Sequence, residues 1–358
     1  MYTNGSKSRL ALFGAVLFAV ALLAGVPANS LGSAKQELVF LTWSEYMDPE
    51  VITEFEEKFN ATVKFVYFES DDIRTEILAD HDGAGFDVIC VSGLTVAQYV
   101  RQNWLAAISE SDIPNAEHIY PRWASAFPDT KEYAVPFFWG TTGIGYRADL
   151  IPEGIKSWKE FFSPPESLRG KIVMMDYSRD IMGAALKALG FSLNTSDEKE
   201  LAEAEQLLQQ QKPYVQSYSY VNLSEESVLV SGEVWASMMY SGDALMLQEH
   251  DENIVYVLPE EGGNIWIDYL TVAQASKRKE LAMQFINFLN EPEIAARVAE
   301  FVYYATPNKA AEQYLPKEYF EDPVIYPSEE QLSRSEFHRP LAPRAQRYTN
   351  ELVARLLN

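Results

Sequence analysis

The stretch Glu37-Leu-Val-Phe-Leu-Thr-Trp43 is a near-continuous apolar run. Such a run is typical of a β-strand that is covered on both faces, as the strands of parallel sheets are. Asp48 and Pro49 follow it, and they predict the start of a helix with the aspartate as N-cap and the proline in the first turn. A strand that leads directly into a helix is the unit from which α/β folds are built.

The same alternation continues along the chain. We expect a second strand at residues 61–68, a helix that begins at Asp72, and a third strand at residues 86–91. The positions of that helix expected to face the core are Ile73, Ile77 and Leu78. This order predicts an α/β fold with parallel strands, in which ligands gather beyond the carboxyl ends of the strands.

Two lobes are expected, because 358 residues exceed what one hydrophobic core usually serves. An extended apolar segment at residues 133–146 carries three glycines and separates two blocks of strand–helix pattern. We therefore interpret this segment as the connector between two lobes.

The N-terminus carries the pattern of a secretory signal. Lys7 and Arg9 precede an uncharged apolar run at residues 10–26, and small residues follow it. We predict that residues 1–34 are a signal peptide and that the protein is periplasmic, with an uncleaved membrane anchor as the alternative. Cys90 is the only cysteine, which excludes a disulfide framework and predicts a small buried side chain.

The chain is acidic, with 52 aspartate and glutamate residues against 29 lysine and arginine residues and a formal net charge of -23. Such a protein repels nucleic acid and anionic lipid, so neither is an expected partner. It attracts cations, although solubility explains the same excess of acid equally well.

Residues 261–270 place a large aromatic ring beside an acid. A Gly-Gly turn leads into a strand in which Trp266 and Asp268 lie two residues apart, so both side chains point to one face. An indole and a carboxylate together suit an organic ammonium, because the acid supplies charge and the ring supplies cation–π attraction. An exposed edge strand with an ordinary surface aspartate is an equally good interpretation of this segment alone.

Acids and aromatics recur where other predicted strands end. Besides Trp266 and Asp268, these residues are Trp43, Glu45, Tyr46, Asp176, Tyr177, Asp180, Tyr240 and Asp243. Each has a structural explanation when taken singly, since interfacial aromatics usually pack and an aspartate such as Asp180 usually caps the next helix. Together, an aromatic beside an acid at several strand ends favours a site for an organic cation.

A catalytic function is not expected. The four histidines are scattered without metal-ligand spacing, and neither a nucleophile elbow nor a phosphate-binding loop is present in the sequence. A secreted hydrolase with paired carboxylates is the alternative, but no acid/base pair stands out. We therefore expect no catalytic residue, no metal and no cofactor.

Five short pieces of the sequence carry a resemblance to a known family. They are Leu41-Thr-Trp-Ser-Glu-Tyr46, Pro136-Phe-Phe-Trp-Gly140, Tyr240-Ser-Gly-Asp243, Glu261-Gly-Gly-Asn-Ile-Trp-Ile-Asp268 and Tyr304-Ala-Thr-Pro-Asn308. In this order they resemble the spermidine/putrescine-binding periplasmic proteins of polyamine ABC transporters, from about Glu37 to the C-terminus. The resemblance implies a two-lobed periplasmic-binding fold of type II, in which each lobe is a sheet flanked by helices and crossing hinge strands join the lobes.

On this fold, lobe 1 is expected to consist of residues 35–142 and 268–312, and lobe 2 of residues 143–267 and 313–358. The resemblance implies that the lobes close on an extended polyamine. Closure removes water and thereby strengthens each charged hydrogen bond to an ammonium group. The closed form is then expected to dock, as a monomer, on a membrane permease.

The resemblance also implies roles for single residues. Trp43, Tyr240 and Trp266 match the aromatic walls of the family site. Asp268 matches the principal carboxylate, and Asp180 a second one near a terminal amine. Polar or edge contacts are implied for Ser44, Tyr46, Ser92 and Tyr304.

Four positions bear on the choice of polyamine. Asp243 resembles the acid of putrescine-type members. Leu94 stands where spermidine binders often have tyrosine, and Tyr177 where they have aspartate. His338 takes the place of a family glutamine. The choice between spermidine and putrescine stays open, and the alternatives on the same fold are a binder of another organic cation or solute, a sensor, or an adhesion protein.

Overall fold

The computed structural model describes residues 35–357 of the chain. The predicted signal peptide at residues 1–34 lies outside this described part. Within it, none of the helices combines the length with the apolar composition that a membrane crossing requires.

Ten strands and fourteen α-helices lie in residues 35–357. The strands are β1 (Gln36–Thr42), β2 (Ala61–Tyr67), β3 (Val88–Ser92), β4 (Ala134–Arg147), β5 (Ile172–Met174), β6 (Val215–Tyr218), β7 (Ala236–Tyr240), β8 (Ile254–Val257), β9 (Asn264–Val272) and β10 (Glu336–Phe337). The helices are α1 (Pro49–Phe59), α2 (Asp71–Asp80), α3 (Gly93–Arg101), α4 (Pro121–Ala124), α5 (Thr130–Tyr133), α6 (Trp158–Phe162), α7 (Ser178–Ala188), α8 (Glu198–Gln211), α9 (Ser241–Gln248), α10 (Lys279–Leu289), α11 (Pro292–Val302), α12 (Lys317–Phe320), α13 (Glu329–Arg334) and α14 (Pro343–Leu357).

The first part of the sheet follows the predicted alternation of strands and helices. β1 is the parallel neighbour of both β2 and β3. The helix α1 connects β1 to β2, and the Asp48 carboxylate caps it by accepting a hydrogen bond from the Glu50 N–H at 2.8 Å. The buried residues of α1 are Val51, Ile52 and Phe55. Cys90 lies buried in β3, as predicted.

Two long strands, β4 and β9, connect the two halves of the protein. The strand order is β2-β1-β3-β9-β4-β7-β5-β6, and β9 is antiparallel to both β3 and β4. From Ala134 to Thr141, β4 pairs with β9, and from Thr142 onward it pairs with β7 and β8. The sheet is therefore mixed rather than parallel throughout, because these strands cross between the halves without an intervening helix.

The two ends of β4 lie in two different hydrophobic cores. Phe138 and Trp139 belong to a core that also contains residues of β1, β3, α10 and α11. Ile144 belongs to a second core built from α7, α8 and α14. Met238 and Met239 point to opposite faces of β7, and Met239 lies in a smaller third cluster. The fold is the predicted two-lobed α/β fold. The division into residues 35–142 with 268–312 and residues 143–267 with 313–358 stays a prediction.

The helix α2 differs from its prediction. Ser70 caps it, so that it begins at Asp71, one residue before the predicted start. Ile73 is 43% exposed, whereas Arg74 is fully buried. The prediction that Ile73 faces the core was wrong, because Arg74 finds its hydrogen-bond partners on α3, which helical spacing within α2 does not show.

The helix α7 begins at Ser178, with Tyr177 at the N-cap position and no side-chain hydrogen bond at that cap. Asp180 therefore lies inside the first turn. The interpretation of Asp180 as the residue that caps this helix was wrong. Its carboxylate makes tertiary contacts instead, and a negative charge in this turn also suits the helix dipole.

Candidate functional site

Asp268 lies at the centre of a group of predicted site residues. It is 6% exposed, on β9, where its cross-strand partners are Ser92 of β3 and Phe138 of β4. Its Oδ2 accepts hydrogen bonds from Trp43 Nε1 and Tyr46 Oη, both at 3.1 Å. The segment after β1 therefore lies against the middle of β9. The prediction that Trp266 and Asp268 lie where a strand ends was wrong, because β9 continues to Val272 as an antiparallel strand between β3 and β4.

The environment of Asp268 makes it hard to ionise. Burial, and after it the charge of the neighbouring Asp71 carboxylate, raises the pKa of its carboxyl to about 7. The positive charge of Arg74 and the hydrogen bonds from Tyr46 and Trp43 oppose that rise in pKa. A second cation placed against this carboxylate would favour its ionised form, so the site is suited to a positively charged ligand.

Aromatic rings continue from Asp268 into the second half of the protein. The Trp266 ring lies 4.7 Å from that of Tyr304 and 5.8 Å from that of Tyr240, edge to face in both pairs. Tyr304 in turn contacts Tyr46, with ring centroids 6.1 Å apart. The buried Trp266 Nε1 has no hydrogen-bond partner among the described residues, which leaves a donor for an acceptor at this position.

A glycine on β4 leaves room for the indole ring of Trp266. Gly140 is the cross-strand partner of Trp266, and a Cβ at that position would come within 2.6 Å of the indole Cζ2 and 3.0 Å of Ser241 Oγ. Since real Cβ atoms essentially never approach so closely, the indole lies directly on the backbone of β4.

Asp243 forms a second buried acidic position. It lies in the first turn of α9, and its two carboxylate oxygens accept hydrogen bonds from Tyr220 and Tyr304. Burial raises the pKa of Asp243, while these two hydrogen bonds oppose the rise. Both donors are neutral, so the negative charge of Asp243 has no cation beside it in these contacts.

Asp180 forms a third acidic position, and neutral groups surround it. Its Oδ1 lies 3.1 Å from His338 Nε2 and accepts hydrogen bonds from Asn264 Nδ2 at 3.1 Å and Thr142 Oγ1 at 3.4 Å. Burial lowers the pKa of His338, although Asp180 pulls it upward. Arg179 Nη2 lies 3.3 Å from His338 Nδ1, so Nδ1 accepts and Nε2 carries the proton that is donated to Asp180.

Several predicted site residues lie at the edge of this group. Ser44, Glu45 and Asp176 are exposed, and Asp176 makes no hydrogen bond or ion pair within residues 35–357. Tyr177 is half-buried, and burial together with the charges of Asp71 and Asp180 raises its pKa. Ser92 donates a hydrogen bond to Asp71 at 2.6 Å, which is a contact that the sequence did not indicate.

Four residues of the site were missed by the sequence prediction. They are Asp71, Arg74, Tyr220 and Asn264. Asp71 lies just beyond the end of β2 and Tyr220 just beyond the end of β6, so the rule that acids and aromatics collect at strand ends could have found both. Arg74 and Asn264 carry no such signal.

Two cavities lie apart from Asp268. One of about 10 Å³ is bordered by Asp180, Asn264 and His338, and it has room for about one water molecule. The other, of about 440 Å³, lies between residues 151–155 and residues 160–172, and none of the predicted site residues lines it. In the described part of the chain, no group of three or more His, Cys, Asp or Glu residues is arranged to hold a metal ion.

Comparison with known proteins agrees with this fold. The family model of bacterial extracellular solute-binding proteins matches residues 50–326. The spermidine/putrescine-binding periplasmic protein of Salmonella typhimurium is 30% identical over 324 residues, which cover 90% of this chain and 92% of that protein. The putrescine-binding periplasmic protein of Pseudomonas aeruginosa is 28% identical over 342 residues, with 90% and 92% covered.

A solved structure shows that the similarity includes the fold. The substrate-binding protein of the spermidine/putrescine ABC transporter of Streptococcus pneumoniae matches with a TM-score of 0.79 at 28% identity, over 90% of this chain and 98% of that one. The chain therefore belongs to the bacterial extracellular solute-binding proteins, in the family of the spermidine/putrescine-binding periplasmic proteins.

Proposed function

We propose that this protein captures a polyamine between its two lobes and delivers it to an ABC permease. The observation that carries the proposal is the buried Asp268 carboxylate, which Trp43 and Tyr46 hold by hydrogen bonds. The Tyr46 ring contacts that of Tyr304, which in turn contacts that of Trp266. A buried carboxylate is costly unless a cation compensates it. An alkyl-ammonium group satisfies both the charge of the acid and the apolar faces of the rings.

The geometry supports an extended ligand with charge at both ends. Asp268 and Asp243 are two buried acids whose oxygens are bound by neutral donors, and they are linked through the contact between the rings of Tyr46 and Tyr304. Trp266 and Tyr304 lie between them in the chain of ring contacts. Ammonium groups at the acids would place the methylene carbons against the rings.

Capture follows from closure of the lobes. Asp268, Trp43 and Tyr46 belong to elements of the first core, whereas Asp243 and Tyr240 begin a helix of the other half. A ligand that contacts both sets favours the closed form, because it binds that form better than the open one. We propose that the closed, monomeric protein then docks on the permease in the periplasm, and that it performs no chemistry on its ligand.

The proposal is tested by titration calorimetry of purified protein from which bound polyamine has been removed. One-to-one binding of spermidine or putrescine is expected. Asp268→Asn should weaken binding by about 2–5 kcal/mol, roughly 30-fold or more, because the ligand ammonium loses its charged partner. Asp82→Asn is the matched control, since Asp82 is an exposed residue in a turn and the substitution makes the same change of charge.

Two results would contradict the proposal. One is the absence of heat and of any thermal shift with either polyamine. The other is unchanged affinity of the Asp268→Asn protein, which would mean that the ligand binds elsewhere.

A further inference from the structure

An arginine lies on the far side of the histidine that contacts Asp180. Arg179, His338 and Asp180 are all buried. Arg179 Nη2 lies 3.3 Å from His338 Nδ1, and His338 Nε2 lies 3.1 Å from Asp180 Oδ1. The two nitrogens of one imidazole ring therefore contact a permanent cation on one side and a carboxylate on the other.

Several acceptors hold the Arg179 guanidinium in this position. Nη1 and Nη2 both donate to the Arg339 carbonyl oxygen at 3.1 Å, and Nη2 also donates to Asn194 Oδ1 at 3.2 Å. Gln346 Oε1 lies 3.5 Å from Nη1. These acceptors are neutral, so they fix the guanidinium against the imidazole without cancelling its charge.

The contact with Arg179 decides where His338 carries its proton. An arginine only donates hydrogen bonds, and a charged imidazole donates from both of its nitrogens. Nδ1 of His338 can therefore carry no proton while Arg179 donates to it, and the ring stays neutral with its proton on Nε2. Burial lowers the pKa of His338 and so also favours the neutral ring.

Other charged groups surround this histidine as well. They are Asp180, Arg179 and Lys187 of α7, and Glu336 and Arg339 of the segment that carries His338 itself. Asp180 and Glu336 favour a charged imidazole, whereas burial and Arg179 oppose it. Lys187 is paired with Glu336 at 3.2 Å, and the Arg339 guanidinium packs on the Phe127 ring at 4.7 Å. Arg179 is therefore the cation that contacts the ring.

We propose that Arg179 is a positioning residue that holds His338 neutral and thereby keeps the Asp180 carboxylate without an ion-pair partner, ready for an ammonium group of the ligand. Asp180 adjoins the aromatic group, because Thr142, which donates to it, is the cross-strand partner of Tyr240. A protonated His338 would pair with Asp180 and repel the ammonium group. This inference rests on the proposed function, since it concerns one acid of the same site.

The first measurement is an NMR titration of the four histidine rings in the ligand-free protein, with the His338 signals identified from the spectrum of His338→Gln. In the unaltered protein His338 should carry its proton on Nε2 and should not titrate between about pH 8 and about pH 5.5. Arg179→Met removes the donor and its charge, so His338 should become protonated within this range. Arg179→Lys restores a cationic donor and should suppress the titration again.

Calorimetry with spermidine measures the consequence for binding. In Arg179→Met the affinity should fall in acid more steeply than in the unaltered protein, by up to about a further tenfold per pH unit below the pKa of His338. The difference should be smallest near about pH 8, where the imidazole is neutral in both proteins. A purely structural role of Arg179 would instead lower the affinity by the same factor at every pH.

Arg344→Met is the matched control for this comparison. The Arg344 side chain is 79% exposed and forms an ion pair with Glu198, so its substitution makes the same change of charge away from the site. It should leave both the His338 titration and the pH dependence of the affinity as they are in the unaltered protein. Thermal unfolding of each variant establishes that it is folded.

The titration of the unaltered protein keeps the inference testable if Arg179→Met does not fold. Protonation of His338 near its ordinary pKa of about 6.5 in that protein would overturn the inference. A folded Arg179→Met protein in which His338 stays neutral, or in which the affinity falls by one factor at every pH, would do the same.

Failure of the unaltered protein to bind a polyamine is a separate outcome. It would overturn the proposed function, and with it the part of this inference that concerns the ligand. The NMR titrations contain no ligand, so they distinguish that failure from an error about Arg179 and His338.

Discussion

The hydroxyl group of Tyr304 donates a hydrogen bond to the carboxylate of Asp243, and this bond joins the two halves of the protein. Tyr304 lies in the first core, directly after α11, whereas Asp243 lies in α9, whose Ala244 and Leu247 belong to the third cluster. The backbones are close as well, because a Cβ at Gly242 would come within 2.8 Å of the Tyr303 carbonyl oxygen. The hydrogen bond between Tyr304 and Asp243 therefore forms only when the two halves of the protein lie together.

Removing this hydroxyl should weaken both closure and binding. Tyr304→Phe keeps the ring against Trp266 but removes one hydrogen bond to a buried carboxylate, which is worth about 1.5–3 kcal/mol. We expect a polyamine affinity lower by roughly tenfold or more, measured by calorimetry. Tyr67→Phe is the control, because Tyr67 is an exposed tyrosine of β2 and should bind ligand as the unaltered protein does. Equal affinities of the two variants would argue against a role for the bond.

Adding one methyl group behind the indole should disturb the site without touching any acid. Gly140→Ala places a Cβ where the Trp266 ring lies, and the ring has to move because the backbone of β4 is held by β9. We expect a changed tryptophan emission spectrum and a polyamine affinity lowered by roughly tenfold, since the ring loses its cation–π geometry and its packing. Unchanged affinity together with a changed spectrum would show that Trp266 does not contact the ligand.

Binding should weaken in acid. In the ligand-free protein the pKa of Asp268 is about 7, and a bound ammonium group lowers it by favouring the ionised form. Affinity is therefore expected to fall by up to about tenfold per pH unit below about pH 7 and to level off above it. Burial also raises the pKa of Asp243, which acts in the same direction. Calorimetry across this pH range measures the slope.

The stability of the ligand-free protein should show the opposite trend. The pKa of Asp268 is higher in the folded protein than the ordinary value of 3.8 for an unfolded chain, so the folded state binds its proton more tightly. The contribution of this group to stability is present below about pH 4 and is lost as the pH rises to about 7. Asp268→Asn should remove the part of the pH dependence that Asp268 causes, both in the polyamine affinity and in the free energy of unfolding. If affinity and unfolding free energy change with pH in Asp268→Asn as they do in the unaltered protein, another group causes the pH dependence.

His338 is expected to act as a neutral donor. Burial lowers its pKa, so the imidazole stays uncharged at neutral pH and donates from Nε2 to Asp180. His338→Gln supplies an amide donor and should retain most of the affinity, whereas His338→Leu leaves Asp180 short of one partner and should lower the stability by about 1–3 kcal/mol. Urea unfolding and calorimetry compare the two variants. An equal loss of stability and affinity in both variants would mean that the shape of the imidazole ring matters and its hydrogen-bond donor does not.

Much of the fold could be predicted because its signals are local. The apolar run of β1 and the cap at Asp48 are properties of a few neighbouring residues, and the structure has both. The same holds for the acids and aromatics placed at strand ends, since parallel strands bring those ends to one edge of a sheet. Trp43 and Tyr46 were predicted in this way, and they contact Asp268, which lies in the middle of the antiparallel strand β9.

The remaining features depend on partners that are far apart in the chain. Helical spacing predicts Ile73 in the core, yet Arg74 is buried in its place because Thr95 and Tyr99 receive its hydrogen bonds. His338 comes to lie against Asp180, 158 residues away, through the pairing of β10 with β9.

The sequence by itself determined the alternation of strands and helices in the first block, the separation into two blocks, and most of the acids and aromatic rings that lie together. The tertiary structure alone decided which of those acids receive a cation, a neutral donor or water. The physical reason is that a local pattern depends on the period of the backbone, whereas the charge state of a buried acid depends on every group that packs against it.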